Sequence, residues 1–295
     1  MQKDWYQDLN EYIRLGEPKL EEKTVAWQTA IGLQAVDGLS TSDYLLETAK
    51  ENIEGKITIS EANDKISSYY EECNDRKAIE AGTKEADIVA GRITAILGEK
   101  TFSFSPAYWI SIHKNLFANV FTHAGEIRTY NISKNEWVLN GKSVFYASYD
   151  SIPMTLDYDF NTEKRFSYRN LSESEIVKHI AKFTCDIWQI HPFCEGNTRS
   201  TAVFIIKYLN SLGYSIGNEA FAKYSWYFCN ALVRANYNDL QNGVHANTVY
   251  LEKFFENLLY NGNNELKNRY LHIYWHEKNS AKLSCAKLYG TYNLA

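Results

Sequence analysis

Residues His191-Pro192-Phe193-Cys194-Glu195-Gly196-Asn197-Thr198-Arg199 form a polar break between two apolar runs, 176–190 and 201–209, each spaced at the helical period. So short a break between two helices must turn sharply, and Gly196 with Asn197 lets the backbone do so. The second helix is expected to begin at Asn197 or Thr198. A helix start presents unpaired N–H groups and a positive dipole end, a setting that suits phosphate. Arg199 stands in that first turn, where the dipole does not favour a cation, and a bound polyphosphate would account for it.

The rest of the chain reads as mainly α. There are only four prolines in 295 residues, and long 3.6-period patterns run through most of the sequence. Helices are predicted over 24–36, from Ser40 or Ser42 to about Asn52 with Gly55 ending it, and from Thr58 or Ser60 to about Asn74. A further helix, Tyr108 to Phe121, would bury Ile110, Leu116, Phe117 and Val120. Residues 125–160 are richer in β-formers, and Asn140-Gly141 predicts a hairpin with strands near 136–139 and 142–147. Helices resume over 173–190, 198–212, 218–236 and 248–260, and the tail from Asn264 to Ala295 reads as helical with a loose end. The expected organisation is a small helical module at 1–80, a main helical bundle with a β-hairpin at 81–262, and an extension at 263–295.

The side chains of the turn divide into roles. His191 has an ordinary pKa near ~6.5 and can accept a proton from an attacking hydroxyl at neutral pH. Pro192 should hold His191 extended, and Phe193 should anchor the turn inward. Glu195 is suited to Mg2+, a hard ion that usually keeps waters and substrate phosphates beside one or two carboxylates. Asn197 can donate to a phosphate oxygen.

This pattern resembles the Fic signature, His-Pro-Phe-x-(Asp/Glu)-Gly-Asn-x-Arg, and matches it at every fixed position through Arg199. The stretch from His113 to Arg128 resembles the family's approach to its flap, the 136–147 segment resembles the flap itself, and Ala231 to Tyr237 resembles the helix on the adenine side. The resemblance spans roughly 85–262. It implies transfer of AMP from ATP, with Mg2+, onto a Tyr, Thr or Ser hydroxyl of a protein target, possibly the chain itself. His191 would then be the general base and Glu195 the metal ligand. Gly196, Asn197 and Thr198 would cradle phosphate, Arg199 would stabilise the leaving pyrophosphate, and Asn236 and Tyr237 would line the nucleotide site. Val144 and Tyr146 would lie on the flap that docks the target by strand addition. Two departures are visible: many Fic loops carry a second Arg at the position of Ala202, and Thr198 replaces the commoner Gly.

Residues 24–70 resemble a small VbhA-like antitoxin that clamps some Fic domains. Its inhibitory Glu pairs with that second Arg. The matching stretch here is Leu33-Gln34-Ala35-Val36-Asp37-Gly38, with Asp for Glu, and Lys50 to Gly55 offers Glu54 as a second candidate. Because Ala202 cannot be a partner, either Asp37 reaches Arg199 or the brake is weak.

Plainer readings exist for several residues. Asp37 can be a helix-end residue, Cys194 occupies the motif's variable position, and His113 and His123 fit packing better than a metal site. The charged run near 71–85 reads as a solvated face. Competing functions are transfer of UMP or phosphate by the same loop, or a low-turnover nucleotide-binding toxin–antitoxin module. The formal net charge of −5 argues against a dedicated nucleic-acid binder. Five scattered cysteines without metal spacing, an N-terminus with no apolar leader, and no apolar run near ~18 residues point to a cytoplasmic setting away from membranes.

Overall fold

The computed structural model describes residues 15–72, 81–216 and 219–274. It is mainly α, and among these residues the only β pairing is an isolated bridge between Asp239 and Val244. The helices are α1 Leu20–Gly32, extended by a 3-10 turn Leu33–Asp37, α2 Asp43–Ile53, α3 Ile59–Glu72, α4 Ala81–Gly98 and α5 Pro106–Phe117. There follow α6 Ile152–Arg165, α7 Glu173–Ile190, α8 Asn197–Ser211, α9 Ala220–Ala235 and α10 Val249–Tyr260.

Local chemistry sets most of these boundaries. Ser42 Oγ accepts the Leu45 N–H at 3.1 Å, capping α2, and Gly55 leaves that helix with φ +74°. Thr58 and Glu61 cap α3 reciprocally, and Ser172 with Glu175 does the same for α7. Ser105 caps α5, whose first residue is Pro106.

Helix α8 is the buried centre, with Thr198 through Leu209 all buried. It packs against α5, α7 and α4, and α9 closes the bundle against α10 and α1. Helix α1 therefore lies between α4 and α9, which brings the turn that follows it to the start of α8. The α1–α9 crossing is tight: a Cβ on Gly32 would stand 2.4 Å from the Ala222 carbonyl oxygen. Only glycine permits that approach.

Several sequence expectations are corrected. The 136–147 segment turns back at Asn140 and Gly141, both at positive φ, but it contains no paired strands. Trp137–Leu139 forms a 3-10 turn closed by Gly141 N–H to Glu136 O and Glu136 N–H to Lys142 O. Val138 and Leu139 are both buried, which a period-2 strand with one solvent face cannot achieve. Helix α5 ends at Phe117, and its core face is Trp109, Ile112, His113, Leu116 and Phe117 rather than one including Ile110 and Val120. Residues 264–274 show only a 3-10 turn at Asn268–Tyr270, and 275–295 lie outside the described residues, as does Cys73. Helices α4 and α6 were not anticipated.

Candidate active site

Helix α7 stops at His191, which adopts the left-handed conformation, φ 49° and ψ 58°. The expectation that Pro192 would hold it extended is overturned. The helix terminates through a left-handed cap, with His191 N–H bonded to Trp188 O at 3.1 Å. The same cap folds the imidazole back, so that Nδ1 lies 3.2 Å from Trp188 O. A carbonyl only accepts, so Nδ1 carries the proton and Nε2 presents its lone pair. Nε2 is buried and has no protein partner. Burial, then the charge of Lys134, hold the imidazole well below its usual pKa despite the Trp188 bond. His191 is neutral at pH 7, with a basic nitrogen free.

The turn is held from both sides. Asn197 Nδ2 donates to Phe193 O at 2.7 Å, and its Oδ1 accepts the Phe193 N–H at 3.0 Å. Its side chain thus staples the loop. The side-chain contact with phosphate expected of Asn197 competes with its bonds to Phe193. Gly196 has φ 72°, and a Cβ there would stand 2.4 Å from the Phe117 ring. Thr198 Oγ1 accepts from Trp188 Nε1 at 3.0 Å, so its added side chain braces α7 against α8. Phe193 is fully buried and stacks on His113 with centroids 3.7 Å apart.

His113 supports the loop. Gly125 N–H donates to Nδ1, so Nε2 is the protonated nitrogen and donates to Glu195 O at 2.9 Å. Burial lowers its pKa to about 4. Arg128, which sequence reading passed over, ties the flap entry to the loop. Its Nε donates to His191 O at 2.7 Å, and its other donors reach the carbonyls of Tyr130, Ala147 and Ile190. An Arg three residues after Gly125, in the approach segment, was the available signal.

Glu195 is exposed, and its Oε2 lies 3.2 Å from Lys134 Nζ. No group of three or more His, Cys, Asp or Glu side chains that could hold a metal occurs among the described residues. A single accessible carboxylate fits Mg2+ carried in with a nucleotide, where phosphates and waters complete the shell, and not a dedicated protein cage. Cys194 Sγ accepts from the Tyr130 hydroxyl at 3.3 Å.

Arg199 is buried and contacted by three side chains. Nη1 donates to Gln34 Oε1 at 3.1 Å and Nη2 to Glu85 Oε1 at 2.6 Å. Nε lies 2.7 Å from Asp37 Oδ2, an ion-pair contact without the alignment of a hydrogen bond. The guanidinium also sits 4.8 Å from the Phe117 ring centroid. Asp37 therefore meets Arg199, and Gly38, with φ 70°, closes the 3-10 turn that presents it. Glu54 is exposed at the end of α2 and pairs with Lys56. Glu85 was missed because its neighbours read as a solvated charged face.

The flap residues are distributed differently from expectation. Val144 is buried and Tyr146 turns inward, its ring 4.1 Å from His191 and its hydroxyl donating to Glu136 Oε1 at 3.2 Å. Phe145 between them is 84% exposed. Asn236 donates to Leu232 O and Cys185 O, and buried Tyr237 donates to Asp239 at 3.3 Å, so both secure the end of α9.

The chain is similar in part to known proteins. Residues 103–209 match the model of the Fic/DOC family. A curated relative, the protein adenylyltransferase VbhT of Bartonella schoenbuchensis (strain DSM 13525 / NCTC 13165 / R1), is 30% identical over 105 residues. That stretch is 36% of this chain and 21% of the relative, so the chain spans about a fifth of the relative's length. Two solved structures are similar at 18% identity. The N-terminal Fic domain of a Bartonella effector protein from Bartonella sp. AR 15-3 is matched over 53% of this chain and 71% of that one, with a TM-score of 0.40. The N-terminal Fic domain of Bep8 from Bartonella sp. 1-1C is matched over 63% and 88%, with a TM-score of 0.46. No helix of the described residues is long and apolar enough to cross a membrane.

Proposed function

We propose that this chain transfers AMP from ATP onto a Tyr, Thr or Ser hydroxyl of a protein target, and that it is held in check by its own N-terminal segment. The observation that carries the transfer reading is His191, neutral and with Nε2 unpartnered, at the mouth of a loop that opens a helix. The hydroxyl oxygen attacks the α-phosphorus while its proton passes to Nε2. The bond from that phosphorus to the β-side bridging oxygen breaks, and pyrophosphate leaves. The N–H groups opening α8 at Asn197, Thr198 and Arg199 have no intrahelical acceptor and would meet the phosphate. Glu195 would hold Mg2+, which neutralises charge on the phosphates when bound. Mostly, the chain's own contribution is positioning and charge stabilisation.

Residues 1–80 are read as the regulatory module, 81–262 as the catalytic unit and 263–295 as an extension, in a cytoplasmic protein. The brake reading rests on Asp37, which lies 2.7 Å from Arg199 and occupies the cation that would otherwise meet pyrophosphate. Position of the label tests the transfer reading. With Mg2+ and ATP, α-labelled nucleotide should mark protein and γ-labelled should not. A γ-label on protein would establish phosphate transfer instead. The chain's own hydroxyls serve as acceptor if no target is supplied.

A further inference from the structure

A nucleoside triphosphate brings several negative charges, and one divalent cation does not neutralise them all. Basic side chains must meet the remainder. Position 202 supplies none, because Ala202 is a fully buried methyl group. Arg199 has its donors on Gln34 and Glu85, with Asp37 against Nε. On the flap, Arg128 is committed to backbone carbonyls, and Lys142 pairs with Asp239 at 2.6 Å.

Lys134 is paired too, but its partner is the carboxylate of the catalytic loop itself. Its backbone N–H donates to Ser143 Oγ at 3.0 Å, which anchors it on the flap. Its Nζ reaches across to Glu195 Oε2 at 3.2 Å, the loop carboxylate suited to a divalent cation. The ammonium therefore lies at the catalytic loop, beside Glu195, which stands four residues after His191 in that loop.

We propose that Lys134 is a phosphate-binding residue, supplying from the flap the second cation that the helix lacks at Ala202. This rests on the nucleotide-transfer reading above. A carboxylate engaged with a divalent cation no longer serves Lys134, whose N–H donors then turn to phosphate oxygens. The Glu195 pair is thus the resting partner of a side chain that works on the nucleotide. A lysine ammonium needs no fixed angle to do this, since it acts as a compact point charge with three rotatable donors.

The test is calorimetric titration of ATP, with Mg2+ present, into the full chain and its Lys134→Met and Lys134→Arg variants. Each is measured also with Asp37→Asn and Glu85→Gln, so that the Arg199 clamp cannot mask binding. Met keeps the apolar stem and removes only the charge. Lys134→Met should weaken ATP binding about ten- to a hundredfold, the range for one charge-assisted contact, while Lys134→Arg stays within about threefold. ATP binding unchanged within about twofold in Lys134→Met overturns this inference and leaves the transfer reading standing. Equal loss in Met and Arg variants also overturns it, because the effect would then follow side-chain shape and not charge. If no protein of the set binds ATP, the nucleotide reading fails and this inference fails with it.

Discussion

Arg199 Nη2 donates to Glu85 Oε1 at 2.6 Å, joining two residues 114 positions apart. Glu85 lies on α4 and Asp37 on the turn after α1, so two separate elements converge on one buried guanidinium. Two carboxylates around one cation leave a net negative charge where an anionic leaving group would sit. Under the proposed transfer, electrostatics opposes nucleotide contact with Arg199 until the clamp moves.

That double hold sets the response to mutation. Asp37→Ala alone should raise transfer only modestly, up to about tenfold, because Glu85 and Gln34 keep their hydrogen bonds. Charge-assisted hydrogen bonds are worth ~1.5–3 kcal/mol, and partial exposure of both acids reduces this. Combining Asp37→Asn with Glu85→Gln should raise transfer more than the product of the single effects, read by initial rates of label incorporation. A full hundredfold rise from Asp37→Ala alone would show that one carboxylate is the whole brake.

His191→Ala should abolish transfer and leave ATP affinity within about threefold, because Nε2 acts on the acceptor proton and not on the nucleotide. Calorimetry beside a label assay separates the two. Equal loss of ATP binding in a folded variant would remove His191 from the base role.

Gly196→Ala should destabilise the protein by at least about 2 kcal/mol in urea unfolding. The left-handed backbone alone costs ~1–2 kcal/mol for a residue with a Cβ, and the new methyl group must also displace the Phe117 ring. A stability loss under about 0.5 kcal/mol would mean that the loop and the ring relax independently.

Acid should weaken the fold through His113. Its folded pKa, about 4, lies below the ordinary ~6.5 of the unfolded chain, so the unfolded state binds the proton more readily between those values. The stability contributed by neutral His113 is complete above about pH 6.5 and is lost as pH falls towards 4. The slope is about 1.4 kcal/mol per unit for this one group. His113→Gln, which keeps a hydrogen-bonding side chain, should flatten the fall in midpoint over that window. The transfer rate should not drop near pH 6.5, since His191 is also held neutral well below it.

Much of this was legible beforehand because it is local. The ends of α2, α3 and α7 follow from Ser42, Thr58 and Ser172, whose side chains bond backbone within three residues. The turn at 191–199 was visible for the same reason, since Gly196 and the helix start lie within one stretch of chain. What escaped notice depends on distant packing. The flap's missing strands follow from Val138 and Leu139 both being drawn into the core, which a pattern of β-formers does not reveal. Glu85 sits in a charged run like many solvated faces, and only the crossing of α4 with α8 brings it to Arg199. His191 seemed bound to be extended before Pro192, yet the helix cap took precedence.

The central claim is that His191 works on an acceptor hydroxyl while Asp37 and Glu85 hold Arg199 out of action. Its most direct test is the intact mass of the Asp37→Asn/Glu85→Gln chain after incubation with ATP and Mg2+, with and without His191→Ala. The account predicts a gain of one AMP on the clamp-relieved chain, more than on the unaltered chain, and none when His191 is removed. AMP gained equally with and without His191, or no gain from relieving the clamp in a chain that modifies itself, would contradict it.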